Sequence, residues 1–451
     1  MKSFSTANVT GLRVSANHRT LEYDDGRPFF YLGDTAWELF HRLNRQEANL
    51  YLENRASKGF TVIQAVLLAE LGGLKTPNAH GDFPLHENDP TRPNEAYFKY
   101  VDGVVDKAAS LGLFMGLLPT WGDKWKLSAE GKTGIFDPQN AFAYGRFLGQ
   151  RYQNAPVIWI LGGDHNIEHE PEHAVIEALA LGLRQGDGHA HLITFHPRGP
   201  GQSSDVLHGA EWLDFNMVQS SHGARDHDNG LFIEHDYRLE PAKPTLDGEP
   251  RYETIPVGFY NENAARNDRF DDYDTRQAAY WSLLAGACGH TYGNNNVWQM
   301  WQPGKKPLIG ACVPWTEALD HPGAFQMGYV RRLFESRPFQ KLEPDQSLIL
   351  DGPSFGGAKI RAARANDGTF AFIYSPRGRP FTVHQGIIDA PRVQSTWFDP
   401  RYGIAEPVHT TDSPGIQTFV PPTSGRGCDW LLVLDDVGQS FPSPGSKNVH
   451  L

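Results

Sequence analysis

Short apolar runs alternate with longer helix-periodic segments over the first three quarters of the chain. The runs occupy 29–37, 60–68, 113–121, 157–164, 191–197, 213–222, 244–249 and 289–294, and their β-rich character is that of strands buried on both faces. The intervening pattern predicts helices over 45–58, 94–111, 138–152, 171–185, 231–239 and 274–287, with a last one over 320–336. Between the fifth and sixth runs the helix signal is weak. Asn44 and Asp137-Pro138 are helix-start signals, the proline sitting where a first turn tolerates it. Eight strands spaced by helices predict a parallel sheet closed into a (β/α)8 barrel, that is, an α/β TIM barrel. A doubly wound open sheet is the alternative. It normally carries a glycine-rich phosphate turn after its first strand, and Leu32-Gly33-Asp34-Thr35 is not one.

The flanks follow other periods. Residues 12–30 read as a hairpin, with Leu12, Val14, Leu21 and Tyr23 alternating around an Asp25-Gly26 turn, and are expected to cover the bottom of the barrel. Beyond about Pro338 the helical period vanishes and β-alternating runs take over at 348–350, 359–361, 369–374, 393–398, 418–420 and 430–434. The expected organisation is therefore a barrel over 1–340, including the hairpin, and a C-terminal antiparallel β-sandwich domain over 341–451. The tail from 438, rich in Ser, Pro and Gly, is expected to be loose.

Composition narrows the function classes. Lys+Arg 41 against Asp+Glu 53 gives a formal charge of −12, which disfavours nucleic acid and anionic membrane surfaces as partners. Cys288, Cys312 and Cys428 are scattered and odd in number, so no disulfide framework is expected. Residues 1–8 lack the apolar run of a leader, and no later stretch is apolar and long enough to span a bilayer. The expected location is cytoplasmic; a periplasmic or secreted protein whose leader has been removed would read the same. Nothing calls for a cofactor, and the pattern does not speak to oligomeric state.

Barrel active sites form at the C-terminal strand ends, and these ends are rich in sugar-binding chemistry. They offer Asp34 and Trp37 after the first run, Gln64 in the second, Trp121 after the third, and Asp164, His165 and Asn166 after the fourth. His196 ends the fifth run, Gln219 and His222 the sixth, Glu249 and Tyr252 the seventh, and Asn294 and Trp298 the eighth. Glycosidic cleavage needs one carboxyl to protonate the leaving oxygen and another to attack or to activate water. Asp164 and Glu249 end opposed strands and are the candidate pair. By analogy with retaining barrels Asp164 is the acid/base and Glu249 the nucleophile, which expects carboxyls ~5–5.5 Å apart, against roughly 6.5–9.5 Å for an inverting pair. The other candidates are read as substrate-binding residues, with a carbohydrate as the partner.

Blander accounts compete at several positions. Asp34 suits a helix cap or an arginine partner equally well, and Glu253, four residues past Glu249, is read as supporting rather than catalytic. Asn294, Asn295 and Asn296 could form a polar turn, and two of Trp37, Trp121, Trp125, Trp298 and Trp301 are expected in the core. His165, His196 and His222 could make an open metal site, although histidines also donate to sugar hydroxyls and no metal is assigned. The Glu168–His173 run looks metal-like but falls where a helix N-terminus favours acids.

Four stretches carry a family resemblance: Gly33-Asp34-Thr35-Ala36-Trp37, Trp159-Ile160-Leu161-Gly162-Gly163-Asp164, Asp247-Gly248-Glu249-Pro250 with Tyr252-Glu253, and Trp397-Phe398-Asp399-Pro400-Arg401. With these the chain resembles glycoside hydrolase family 140, the apiosidase-like barrels with a C-terminal sandwich often labelled collagen-binding. The resemblance implies an acid/base at Asp164, a nucleophile at Glu249, and hydrolysis of a β-linked sugar, with apiose in pectin side chains the characterised type. Such proteins are commonly exported, from which this N-terminus departs; an enzyme acting inside the cell on an imported oligosaccharide or plant glycoside fits the departure. Residues 341–451 show no collagen-specific surface. The remaining alternatives are a non-catalytic carbohydrate-binding barrel and a metal-dependent hydrolase.

Overall fold

The computed structural model describes residues 11–131, 133–412 and 415–446, so the leader question at residues 1–8 and the tail beyond Ser446 lie outside the described residues. Each of the eight predicted runs contains a barrel strand: β1 (Tyr31–Thr35), β2 (Val62–Val66), β3 (Phe114–Leu118), β4 (Val157–Gly162), β5 (Ile193–His196), β6 (Asn216–Gln219), β7 (Thr245–Asp247) and β8 (Gly289–Tyr292). They pair in parallel from β6 through β7 and β8 to β1 and onward to β5. At the seam between β5 and β6 the Asp214 N–H donates to the Ile193 carbonyl (2.9 Å) and the Thr194 hydroxyl to the Phe215 carbonyl (2.7 Å). A two-residue strand, Gly201–Gln202, adds to β6 antiparallel there. The nine-stranded sheet is thus a nearly closed barrel.

The longer helices are α1 (Arg45–Ser57), α2 (Glu95–Ser110), α3 (Pro138–Tyr152), α4 (Glu170–Asp187), α5 (Gly230–Tyr237), α6 (Asp272–Leu284) and α7 (Pro322–Glu335). Asn44 and Asp137 cap α1 and α3 through reciprocal capping boxes with Glu47 and Asn140. The weak helix signal between β5 and β6 corresponds to a single turn, Ser204–Leu207. Within each strand, alternate side chains divide between two cores. Ile63, Met115, Leu117, Trp159, Leu161 and Phe195 face the helices, whereas Val62, Val66, Phe114, Leu118, Ile160 and Met217 fill the barrel. This register decides which strand-end residues can reach the site.

The predicted hairpin is a three-stranded sheet of Leu12–Val14, Leu21–Tyr23 and Pro28–Phe29, because the chain folds back once more before β1. Leu12, Leu21 and Phe29 close the N-terminal end of the barrel against Tyr31, Phe114 and Leu192.

After α7 the chain forms a six-stranded antiparallel sheet in the order Leu342–Pro344, Arg361–Ala365, Phe370–Ser375, Trp430–Asp436, Val393–Asp399 and Ile404–Thr411. A three-stranded sheet of Ile349–Asp351, Phe381–His384 and Ile416–Phe419 covers one face around Trp397, Phe419 and Leu432. The other face packs Phe372, Tyr374 and Val433 on Tyr280, Trp281 and Phe334 of the barrel. Buried ion pairs reinforce this junction, Arg276 with Asp429 at 2.7 Å and Arg361 with Asp228 at 2.7 Å. The tail expected to be loose is docked as far as it is described: Pro444 and Gly445 are buried, and Arg337 lies 4.9 Å from the Phe441 ring centre. Among the described residues no helix is long and apolar enough to cross a membrane.

Candidate active site

At the C-terminal ends of the strands lies a cavity of about 580 Å³, lined in part by Trp37, Trp121, Asp164, Gln219, His222, Glu249, Tyr252 and Trp298. A larger cavity, about 830 Å³, lies at the other end, between the N-terminal sheet, α7 and the sandwich. It lacks opposed carboxylates facing aromatic side chains, so the smaller one is the site of interest.

The turn after β4 is built by close packing. A Cβ on Gly162 would stand 2.3 Å from the His196 carbonyl oxygen, and one on Gly163 2.9 Å from the Trp121 side chain. Gly162, Gly163 and Asp164 all have positive φ, at 90°, 101° and 53°, and this left-handed path lifts the Asp164 carboxyl to the cavity wall. The Asp164 N–H donates to His196 Nδ1 at 3.3 Å, and the Trp125 indole braces the same turn by donating to the Gly162 carbonyl at 2.8 Å.

Two histidines converge on the carboxylate at the end of β7. His196 Nε2 is 3.0 Å from Glu249 Oε2, close but without hydrogen-bond alignment, and His222 Nε2 is 3.2 Å from Oε1. His222 Nδ1 accepts from the Tyr252 N–H at 3.4 Å, which directs its Nε2–H to Glu249. The Tyr252 hydroxyl accepts from the Trp37 indole at 3.1 Å and also interacts with Glu249. Beneath the loop, Ser220 and Asn229 donate to the buried Asp247 carboxylate at 2.8 Å each, tying β6 to β7.

These surroundings push the two carboxyls apart. Burial raises the affinity of Asp164 for its proton, and the charge on Glu249 adds to this, outweighing His196, His165 and a Gln219 hydrogen bond. Burial also acts on Glu249, but the close approach of His196 and the hydrogen bond from His222 overcome it and hold Glu249 well below the usual carboxylate range. The surroundings favour the acid form at Asp164 and the anion at Glu249, which is the division of labour an acid and a nucleophile require.

Several sequence candidates lie elsewhere. Asp34 points outward from β1, where Arg55 Nε (2.6 Å) and the Tyr51 hydroxyl (2.5 Å) donate to it. Gln64 points inward but one layer below the cavity, bonded to Thr291 at 2.8 Å. Asn294 is fully buried in the turn after β8 and donates to His321 at 2.9 Å. Asn166 fixes the Arg198 N–H at 2.9 Å, and His165 turns to the Gly163 carbonyl at 3.3 Å; neither lines the cavity. Among the described residues no three His, Cys, Asp or Glu side chains are grouped to hold a metal. Glu253 lies outside the cavity too, accepting from the Tyr292 hydroxyl and from the Gly323 N–H at the start of α7. Of the five tryptophans, Trp125 and Trp301 spend their indole N–H on backbone carbonyls and do not line the cavity.

The cavity also contains residues that the strand-end reading passed over: Glu70, Arg198, Phe259 and Tyr260. All sit on loops beyond the strand ends, and no periodicity marks them. Glu70 is pushed up to about 8, first by burial and then by the charges of Glu38, Asp164, Asp123 and Glu249.

Residues 15–341 match the family described as "Apiosidase-like, catalytic domain". The chain belongs to the apiosidase-like family. Residues 344–435 match a second family, described as "Putative collagen-binding domain of a collagenase". A solved structure titled "Glycoside hydrolase" is 34% identical, with 95% of this chain and 97% of that one covered at a TM-score of 0.86. Another, a glycoside hydrolase family 5 protein from Bacteroides vulgatus, is 32% identical over 96% and 94% of the two chains at 0.87. A third glycoside hydrolase structure from that organism, 15% identical with a TM-score of 0.67, shares the fold. No curated protein matched the sequence. The apiosidase-like chain is therefore a glycoside hydrolase, and its barrel-end cavity is where carbohydrate chemistry has to be sought.

Proposed function

We propose that this apiosidase-like protein is a retaining hydrolase of β-linked sugars in plant-derived oligosaccharides or glycosides, with Asp164 as acid/base and Glu249 as nucleophile. The observation that carries the reading is one cavity lined by two carboxyls driven in opposite directions, Asp164 toward the acid and Glu249 toward the anion. In this mechanism Asp164 protonates the departing oxygen while Glu249 attacks the anomeric carbon; Asp164, now ionised, then deprotonates the water that releases the sugar. His196 and His222 hold the nucleophile and disperse its charge, Gln219 bonds to Asp164, and the Trp37, Trp121 and Trp298 faces suit the C–H surface of a sugar ring.

A terminal β-apiosyl unit, as family 140 would cleave, is the proposed sugar, consistent with the apiosidase-like match. The test is hydrolysis of a panel of p-nitrophenyl β-glycosides, β-D-apioside included, and of apiose-bearing plant oligosaccharides, with the first product anomer read by NMR. Retention of configuration, with loss of turnover in folded Asp164→Asn and Glu249→Gln, is expected. Inversion, or undiminished turnover in Glu249→Gln, would overturn the proposal. The protein is proposed to act in the cytoplasm.

A further inference from the structure

Three carboxyls line the cavity, Glu70, Asp164 and Glu249, and the proposed chemistry uses two. Glu70 stands on the loop after β2, in a turn closed by the Gly72 N–H on the Glu70 carbonyl at 2.7 Å. The next residue is pinned as well: the Leu71 N–H donates to Glu38 at 3.0 Å, and Glu38 is itself held by His41 at 2.7 Å, with Arg42 3.6 Å away. The Glu38 N–H donates to the carbonyl of Trp298, another cavity-lining residue, at 3.1 Å. The backbone thus presents the Glu70 side chain to the cavity from a fixed position. Yet among the described residues no hydrogen bond or ion pair reaches its carboxyl. The half-buried Glu70 carboxyl therefore has its hydrogen-bonding capacity open toward the cavity, the side a ligand would occupy.

We propose that Glu70 is a substrate-binding residue whose carboxyl hydrogen-bonds a ring hydroxyl of the sugar held against Asp164 and Glu249. This rests on the reading of the cavity as a sugar site. The acidic side chains around Glu70 are those of Glu38, Asp123, Asp164 and Glu249. The nearby basic side chains are committed elsewhere, His41 and Arg42 to Glu38 and Lys124 to Asp123, while Arg198 lies on the cavity wall. With its proton affinity pushed up to about 8, Glu70 is a neutral acid at pH 7, able to donate to one hydroxyl oxygen and accept from another. Above pH 8 the donor is lost and a further anion enters a cavity that already holds Glu249.

The experiment is a tryptophan-fluorescence titration of the full chain with D-apiose, D-galactose, D-xylose and L-arabinose between pH 6 and 9.5. Wild type, Glu70→Gln and Glu70→Ala are compared, p-nitrophenyl glycoside hydrolysis is followed in parallel, and circular dichroism confirms folding. Glu70→Gln keeps a neutral donor and acceptor, so it should bind like wild type at pH 7 and lose the weakening that wild type shows above pH 8. Glu70→Ala should bind roughly tenfold more weakly at pH 7, as expected for one lost hydrogen bond. Wild-type affinity in Glu70→Ala, a flat wild-type profile through pH 8, or no response to any of these sugars would overturn the inference. Hydrolysis with an indifferent Glu70→Ala removes only the Glu70 assignment. Sugar binding with the expected variant pattern but no hydrolysis removes only the hydrolytic mechanism.

Discussion

His222→Leu isolates the electrostatics that define the proposed nucleophile. In the native site His222 Nε2–H donates to Glu249 Oε1 at 3.2 Å, and His196 stands 3.0 Å from the other oxygen. A hydrogen bond to a charged group contributes about 1.5–3 kcal/mol, and one pKa unit corresponds to about 1.4 kcal/mol. Removing one donor should therefore raise the Glu249 pKa by roughly one to two units. Glu249 is held low and must be ionised to attack, so activity falls as pH drops through its pKa. The acidic limb of kcat/KM should accordingly move up by roughly one to two pH units. The alkaline limb reports Asp164, whose proton is retained partly because Glu249 is charged; near neutrality Glu249 remains ionised in the variant, so this limb should stay in place. The assay is kcat/KM from pH 3 to 9 on the best substrate of the glycoside panel, with His222→Asn as the variant that keeps a donor. This range starts above the wild-type limb, so His222→Leu should bring an acidic limb into view where wild type shows none. An acidic limb at the wild-type position in His222→Leu, or a parallel shift of both limbs, would refute the reasoning.

Three further outcomes are expected. Asp34→Ala leaves Arg55 charged and buried without its carboxylate partner, which should cost about 3–5 kcal/mol in denaturant unfolding while KM is unchanged under conditions where the variant is folded; a raised KM at full stability would return Asp34 to the sugar site. Glu253 is pushed up by burial to about 7 from 4.5, so the native state binds the extra proton between those values and stability falls as pH rises through that window. Glu253→Gln should therefore gain relative to wild type by up to about 3 kcal/mol by pH 8, and a stability difference independent of pH between 4 and 8 would count against this. Arg276→Met strands Asp429 in the barrel–sandwich junction and should lower thermal stability by the equivalent of about 3–5 kcal/mol. Adding Asp429→Leu should recover much of that, and an unchanged melting temperature in the single variant would show the junction to be held by its apolar face alone.

The alternation of apolar runs with helix-periodic segments determined the barrel, because parallel strands buried on both faces need crossover helices and leave that pattern whatever the residues' detailed contacts. The glycine turns before Asp164 and Glu249 likewise marked two strand-end carboxyls that the fold brings to one cavity. That same double burial concealed the register. With both faces apolar, nothing in the sequence says which alternate residues face the barrel and which face the helices, so Asp34 and Gln64 read like Trp37 although one pairs with Arg55 and the other bonds to Thr291 below the cavity. Sequence-local patterns were weakest for strands whose stability comes from pairing: the exposed Ile404–Thr411 edge carries no clean alternation, and the tail looked loose until Arg337 and Phe370 gave Phe441 something to pack on. The loop residues Glu70, Phe259 and Tyr260 reach the cavity only because distant segments converge there. The unequal proton affinities of Asp164 and Glu249 also belong to the tertiary structure alone, since they arise from burial and from two histidines that β5 and β6 deliver across the barrel.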